Sequence, residues 1–396
     1  MSPSLSAVVA GHICLDITPD LDHYPAGKFP ELFQPGRLLE VGPATFSTGG
    51  AVSNTGLVLK RLGIKTRLIG KVGDDLLGAA VQEMIRQVDP ELVEGIGRDQ
   101  AVSTSYSVII SPPGIDRTFL HNPGANDFFA ASDVDFDLVS QASLFHFGYP
   151  PAMKRMYRSG GAELTELFAR AKATGATTSL DASFPDASSE SGRADWRAIF
   201  RRTLPYVDIF LPSFEEILFM LQPEQYQRLL GQAGSRNLIE LATAALLGDL
   251  ATDLIDMGVK IAVIKLGERG LYMRTAGERE LEKIGRARPT NLMLWAGREL
   301  WAPCFRVEVA GTTGAGDATI AGFLSALLRD MSPEGALTAA VAVGAYKVED
   351  SDVISALPTW AVVWQRIQFG WERLPLAIQQ PGWIWASQPG VWTRQA

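Results

Sequence analysis

Seven residues, GTTGAGD at 311–317, carry the strongest chemical signal in the chain. The segment ATIAGFLSALLRD follows, with Ile320, Leu324, Leu327 and Leu328 at helical spacing. The loop therefore opens a helix, where free backbone N–H groups and the positive end of the helix dipole meet. Glycines at 314 and 316 let backbone amides approach an anion without Cβ obstruction. Such a site can stabilise the charge on a phosphoryl group in transfer, and Asp317 can accept a proton beside it. Asp317 also fits a plain helix-capping role. No Gly-Lys-Ser/Thr follows the glycines, which excludes a Walker A loop.

Short apolar runs alternate with helical patterns and must position this loop. Residues 5–11, 66–73, 144–148, 177–183, 208–212 and 260–267 read as strands; 53–63 and 76–88 read as helices. That alternation predicts a parallel sheet with crossover helices, and such sheets bind ligands beyond the carboxyl ends of their strands. Residues 14–46 and 103–126 break the rhythm and predict a small β appendage, the second an antiparallel hairpin around PPGID. Residues 275–303 read as a charged excursion. The tail from 359 carries six of the nine tryptophans, a pattern that predicts packing on the chain's own core.

The chain has 396 residues, 46% of them hydrophobic and 20% charged, with a net charge of −8 and a pI near 5.2. The acidic balance argues against nucleic acid or an anionic membrane surface as partner. Two distant cysteines and four histidines without ligand spacing form neither a disulfide framework nor a zinc set. The N-terminus lacks a basic leader and no apolar run spans a bilayer, so the expected location is the cytoplasm.

Taken together, the motifs resemble the PfkB (ribokinase-like) family of carbohydrate kinases. GTTGAGDATIAGF (311–323) is similar to the family's C-terminal signature. GGAVSNTGLVLKRLG (49–63) with KVGDDLLG (71–78) is similar to the N-terminal one. RTFLHNPGAN (117–126), SLDAS (179–183) and KLGERG (265–270) resemble segments between them, in order, so the likeness runs from about 5 to 370. The resemblance implies one kinase domain over 1–396. Its fold would be a doubly wound, mostly parallel α/β sheet flanked by helices, with a small β lid (strands about 14–46 and 103–122) and a Trp-rich extension at about 371–396. It implies ATP-dependent phosphorylation of a sugar hydroxyl. Asp317 would be the general base, and the backbone of Gly314, Ala315 and Gly316 the anion hole.

Residue by residue, the likeness assigns acceptor contacts to Asp16, Gly50 and Asn54. Arg117 and His146 join them as candidates, although a solvated hairpin charge and a structural histidine fit equally. Asp181 ends a strand and could line the site or brace a loop. Nucleotide contacts would come from Lys265, Gly267, Gly270, Thr312, Gly314 and Gly344; the 265–270 segment also reads as an ordinary glycine turn, and Gly344 as a helix-packing residue. Magnesium would be held through water by Glu216.

Two departures stand out. Gly311 occupies the place of a cation-binding aspartate, which argues against strong potassium activation; Thr313 and carbonyls near Val353 to Ser355 remain as ligands. Ser213 replaces the asparagine of the family's Asn-x-x-Glu motif. Cys14 and Ala51 differ from ribokinases, so a ketose or 2-keto-3-deoxy sugar acid is expected rather than ribose. The alternatives are a nucleoside kinase of the same fold, or a catalytically weak binding or regulatory homologue. Pairing of two copies through the lid strands is also expected.

Overall fold

A computed structural model describes residues 5–24, 34–36, 38–113, 117–349 and 357–395. Fifteen strands are present: β1 (Ser6–Gly11), β2 (Cys14–Pro19), β3 (Ala44–Gly49), β4 (Lys65–Gly73), β5 (Ile96–Asp99), β6 (Tyr106–Ile110), β7 (Thr118–Asn122), β8 (Leu144–Gly148), β9 (Thr177–Leu180), β10 (Ile209–Phe210), β11 (Ile261–Lys265), β12 (Leu271–Thr275), β13 (Glu299–Ala302), β14 (Trp383–Ala386) and β15 (Val391–Arg394). Eleven form one sheet in the order β14-β15-β13-β12-β11-β10-β9-β8-β1-β4-β5. From β11 to β5 every pairing is parallel; the other edge is antiparallel.

The central strands are continuously apolar because both faces are covered. On β1, Ala7 and Val9 face one core while Val8 and Ala10 face the other. On β11, Ile261 and Val263 split from Ala262 and Ile264 in the same way. The helix Ala315–Leu328 packs against Pro333–Val348 and Ala51–Arg61 on the first face. Its apolar side chains are buried nearly all round, so it is a core helix rather than an amphipathic surface one.

The lid is a four-stranded sheet, β3-β2-β6-β7. The chain passes from β1 into β2 through His12 and Ile13 alone, so the lid grows directly from the end of a central strand. The expected appendage is therefore real: it falls at the two segments that interrupt the strand–helix rhythm. Residues 25–33, the hairpin tip at 114–116 and the carbonyls of Val353 to Ser355 lie outside the described residues.

The segment 275–303 differs from its reading as a charged excursion. It contains two short helices and β13. Its strand carries Glu299, only 7% exposed, which accepts from Tyr272 Oη at 2.7 Å and pairs with Arg274 at 3.3 Å and Arg394 at 2.9 Å. A carboxylate with three long-range partners is tolerated inside a sheet, but without those partners in view the run looks like a loop. The tail does pack on the core. Strands β14 and β15 extend the main sheet, Trp371 stacks on Phe305 at 4.6 Å, and Arg366 covers the other ring system at 3.6 Å from the Trp371 centroid.

Candidate active site

The GTTGAGD loop lies where the parallel strands end. Gly314 is left-handed (φ 70) and caps the helix Ala315–Leu328 without a side-chain bond. Asp317 is thus the third helical residue rather than the cap. The Ala315 N–H turns to the Thr312 carbonyl at 3.2 Å and Ala318 N–H bonds to the Gly314 carbonyl at 2.9 Å. Among the described residues, the N–H groups of Gly314, Gly316 and Asp317 have no carbonyl partner. The three open donors are therefore shifted by one position from the expected set, because Ala315 is used to close the turn.

Asp317 is 3% exposed and receives three donors. Asn54 Nδ2 donates to Oδ2 at 3.0 Å, Tyr149 Oη to the same oxygen at 2.7 Å, and Thr55 Oγ1 to Oδ1 at 3.2 Å. Burial pushes the carboxyl above its usual range, although these donors and Lys265 pull the other way. Asn54 and Thr55 come from the helix that begins after Gly50. That glycine needs its φ of 86, and a Cβ there would lie 2.5 Å from His12 Nδ1 and the His12 carbonyl. The two signature segments, some 260 residues apart in the chain, thus meet through hydrogen bonds on one carboxylate.

A second cluster adjoins the loop. Lys265, at the end of β11, donates to Asp181 Oδ1 at 2.5 Å; the side chains are 12% and 2% exposed. Burial works against the Lys265 charge, but Asp181 and Glu216 outweigh it and hold the ammonium protonated. Its Nζ is 3.9 Å from where a Cβ on Gly316 would sit. A cation thus stands beside the open amides, strengthening the site's attraction for an anion. Lys347 approaches Gly314 from the neighbouring helix in the same manner, with Cε at 3.7 Å from that residue's Cβ position.

Glu216 has a clear local role. Its Oε2 accepts from Ser213 N–H at 2.7 Å, while Ser213 Oγ accepts from Glu216 N–H at 3.3 Å. This is a capping box on the helix Phe214–Leu221. The serine that departs from Asn-x-x-Glu is explained by it, and the Ser-x-x-Glu spacing could have revealed it from sequence. Oε1 has no donor among the described residues, so one carboxylate oxygen is available to hydrated magnesium, which suits that ion's preference for keeping waters.

The acceptor candidates gather at the lid hinge. Asp16, 9% exposed, lies on β2 opposite β3, accepts from Cys14 Sγ at 3.3 Å and is pushed up by burial. Arg117 reaches from the start of β7 to Thr312, donating to Oγ1 at 2.5 Å, and so ties the lid to the loop. Thr313 lies half-buried beside it, and Gly311 N–H bonds to the Val348 carbonyl at 3.3 Å. His146 is not drawn into this group. It is fully buried within the sheet with Nδ1 3.0 Å from Ser179 Oγ, and burial lowers it to about 3.

The remaining candidates sit on the turn and the packing helix. Gly267 and Gly270 have φ values of 52 and 88 and close the β11–β12 hairpin. A Cβ on Gly344 would stand 2.3 Å from Thr319 Oγ1, so this glycine serves close helix packing behind the loop. Sequence reasoning did not assign Thr55, Tyr149 or the pair His12–His121, whose Nε2 atoms are 3.4 Å apart. Thr55 follows Asn54 directly and only its helix rotation shows that it reaches the same carboxylate. Tyr149 (φ 66, ψ 42) adopts a conformation that costs a non-glycine residue roughly 1–2 kcal/mol.

This geometry has known counterparts. The model for pfkB family carbohydrate kinases matches residues 7–360. Fructokinase-2 of Zea mays is 25% identical over 367 residues, spanning 89% of this chain and 90% of its own length. Probable fructokinase-6, chloroplastic, of Arabidopsis thaliana is 26% identical over 325 residues, 78% of this chain and 72% of the relative. A fructokinase from Xylella fastidiosa, solved with bound ATP, shares the fold with a TM-score of 0.67 at 19% identity, covering 92% of this chain and 99% of that one. With both signatures joined at one buried carboxylate and the family match spanning nearly its whole length, the chain belongs to the PfkB family of carbohydrate kinases, ATP-dependent phosphotransferases with an alcohol group as acceptor.

Proposed function

We propose that this kinase transfers the γ-phosphoryl group of ATP to a hydroxyl of a ketose, with a 2-keto-3-deoxy sugar acid as second acceptor class. Asp317 takes the proton of the attacking hydroxyl. The open amides of Gly314, Gly316 and Asp317, with Lys265 beside them, stabilise the charge that spreads over the phosphoryl oxygens. The observation that carries this reading is the buried Asp317 carboxylate, fixed by donors from the N-terminal signature at the mouth of an uncapped helix. Bound magnesium supplies charge neutralisation on the phosphates, and Glu216 Oε1 would hold it through water.

The ketose preference is supported by the fructokinase relatives and by the neutral wall of the acceptor side. Burial and the neighbouring His121 lower His12 to about 3, and burial lowers His121 as well, so the two rings present no cation to an acid. Arg117 is the observation that favours the sugar acid, since its guanidinium can pair with a carboxylate. Pairing of two copies through the lid is part of the proposal. Phe46 and Phe119 on its strands are 52% and 51% exposed, and light scattering reads the outcome. The same holds for a cytoplasmic location, which the two free cysteines support.

The test is coupled ADP release with D-fructose, 2-keto-3-deoxygluconate, D-ribose and adenosine as acceptors. Turnover on the order of 1–100 per second on fructose, well above the others, is expected. Preference for adenosine or ribose would overturn the acceptor assignment, and preference for the sugar acid would select the second class.

A further inference from the structure

The argument here rests on the proposed role of Asp317 as the base. Its carboxylate is not evenly loaded. Oδ2 receives both Asn54 Nδ2, at 3.0 Å, and Tyr149 Oη, at 2.7 Å, whereas Oδ1 receives only Thr55 Oγ1, at 3.2 Å. A carboxylate oxygen offers two lone-pair directions. Oδ2 is therefore filled and Oδ1 keeps one direction open. We infer that Tyr149 is a positioning residue for phosphoryl transfer: its hydroxyl occupies the second direction on Oδ2 and leaves Oδ1 as the atom that receives the sugar hydroxyl's proton.

The backbone bears this out. Tyr149 follows β8 in a left-handed conformation, one of three non-glycine residues with positive φ among those described. Glycine would adopt it freely, so the position keeps a side chain against a backbone preference. What the side chain provides is the bond to Asp317. The ring is braced on the lid side by His12, at 5.9 Å between centroids, and His12 by His121 at 5.2 Å. The phenol cannot itself act as the base, since burial and the adjacent Asp317 carboxylate keep its proton on well above the usual phenol range.

In the step, the acceptor O–H bond breaks as its oxygen bonds to the γ-phosphorus. The proton passes to Asp317 Oδ1 and ADP departs with the electron pair of the broken P–O bond. The Tyr149 proton stays on its oxygen throughout. Other charged groups face Asp317 from the surrounding elements: Lys265 on β11, Asp181 after β9, Glu216 in the capping box and Lys347 behind Gly314. None of them bonds to its oxygens, so the Tyr149 hydroxyl can be varied without touching them.

The test compares full-length wild type, Tyr149→Phe, and site-specific 3-fluorotyrosine at 149, a stronger donor of the same shape. The first readout needs no acceptor: the titration midpoint of the Asp317 carboxyl carbon by NMR, assigned by its loss in Asp317→Asn. Removing a bond to the charged form should raise the midpoint by about one pH unit in Tyr149→Phe, and the fluorinated residue should lower it. The second is single-turnover transfer from ATP to D-fructose. The expected result for Tyr149→Phe is a rate about tenfold lower, with an acid limb displaced to higher pH and KM within about twofold. Midpoints and limbs that stay put in both variants would overturn the inference. If Asp317→Asn turns over like wild type, the base assignment fails first; if it is inactive while Tyr149→Phe matches wild type, the inference about Tyr149 fails alone.

Discussion

Asp317→Asn should stabilise this protein while ending its turnover. The carboxylate is 3% exposed and carries three hydrogen bonds. An asparagine can keep its carbonyl on the Oδ2 side, where Asn54 and Tyr149 donate. Its amide then faces Thr55, whose hydroxyl can rotate and accept. The hydrogen-bond balance survives and the cost of a buried charge disappears, a gain of about 1–2 kcal/mol. Lys265 retains Asp181 and Glu216, so no cation is orphaned. With an unfolding entropy of about 2.1 cal/mol/K per residue over 396 residues, that gain raises Tm by roughly 1–2 °C.

The pH dependence follows from the direction of the shift. Burial raises the folded-state pKa of Asp317 above the reference value of 3.8. A raised acid binds protons more tightly when folded, so its cost is absent below the reference value and grows as pH climbs through the folded pKa. The Tm difference between variant and wild type should vanish near pH 4 and be complete at neutral pH. Differential scanning fluorimetry across pH 4–8 reads it, and coupled ADP release should fall by about 10²–10⁴-fold. A Tm several degrees below wild type at neutral pH would refute the burial argument. Residual activity within about tenfold of wild type would refute the base.

Three further outcomes are expected. Lys265→Met strands Asp181 and should cost about 3–5 kcal/mol in urea unfolding; adding Asp181→Asn should recover much of it, and equal losses in single and double variants would break the ion-pair account. Ser213→Ala removes half of the capping box and should cost about 1 kcal/mol, seen as a lower urea midpoint with an unchanged slope. Gly344→Ala places a methyl 2.3 Å from Thr319 Oγ1 and should cost about 1–3 kcal/mol by overpacking; an unshifted midpoint would show that the two helices can part.

Local pattern made much of this molecule legible. The run SAVVAG is apolar at every position, which matches a strand covered on both faces, and the helix after Asp317 shows itself by spacing. The glycines of GTTGAGD and GGAVSN marked both ends of the site, because left-handed turns and close backbone approach demand them locally. The four antiparallel strands at the far edge were not legible. Glu299 makes sense in β13 only once Tyr272, Arg274 and Arg394 converge on it from separate segments. Ser213 was a departure from a motif until its bond with Glu216 showed it to be a cap.

By itself, then, the chain's order of residues determined the strand–helix alternation, the place of the lid and the loop at the mouth of a buried helix. Each of these depends on periodicity or on backbone freedom within a few residues. Only the tertiary structure decided what surrounds the carboxylate. Asn54, Thr55 and Tyr149 lie 263, 262 and 168 positions from Asp317, and Lys265 meets Asp181 across 84. Hydrogen bonds and charges act over a few ångströms of space, whatever the distance along the chain. The folded packing therefore chose which oxygen of Asp317 is filled and which is left for chemistry.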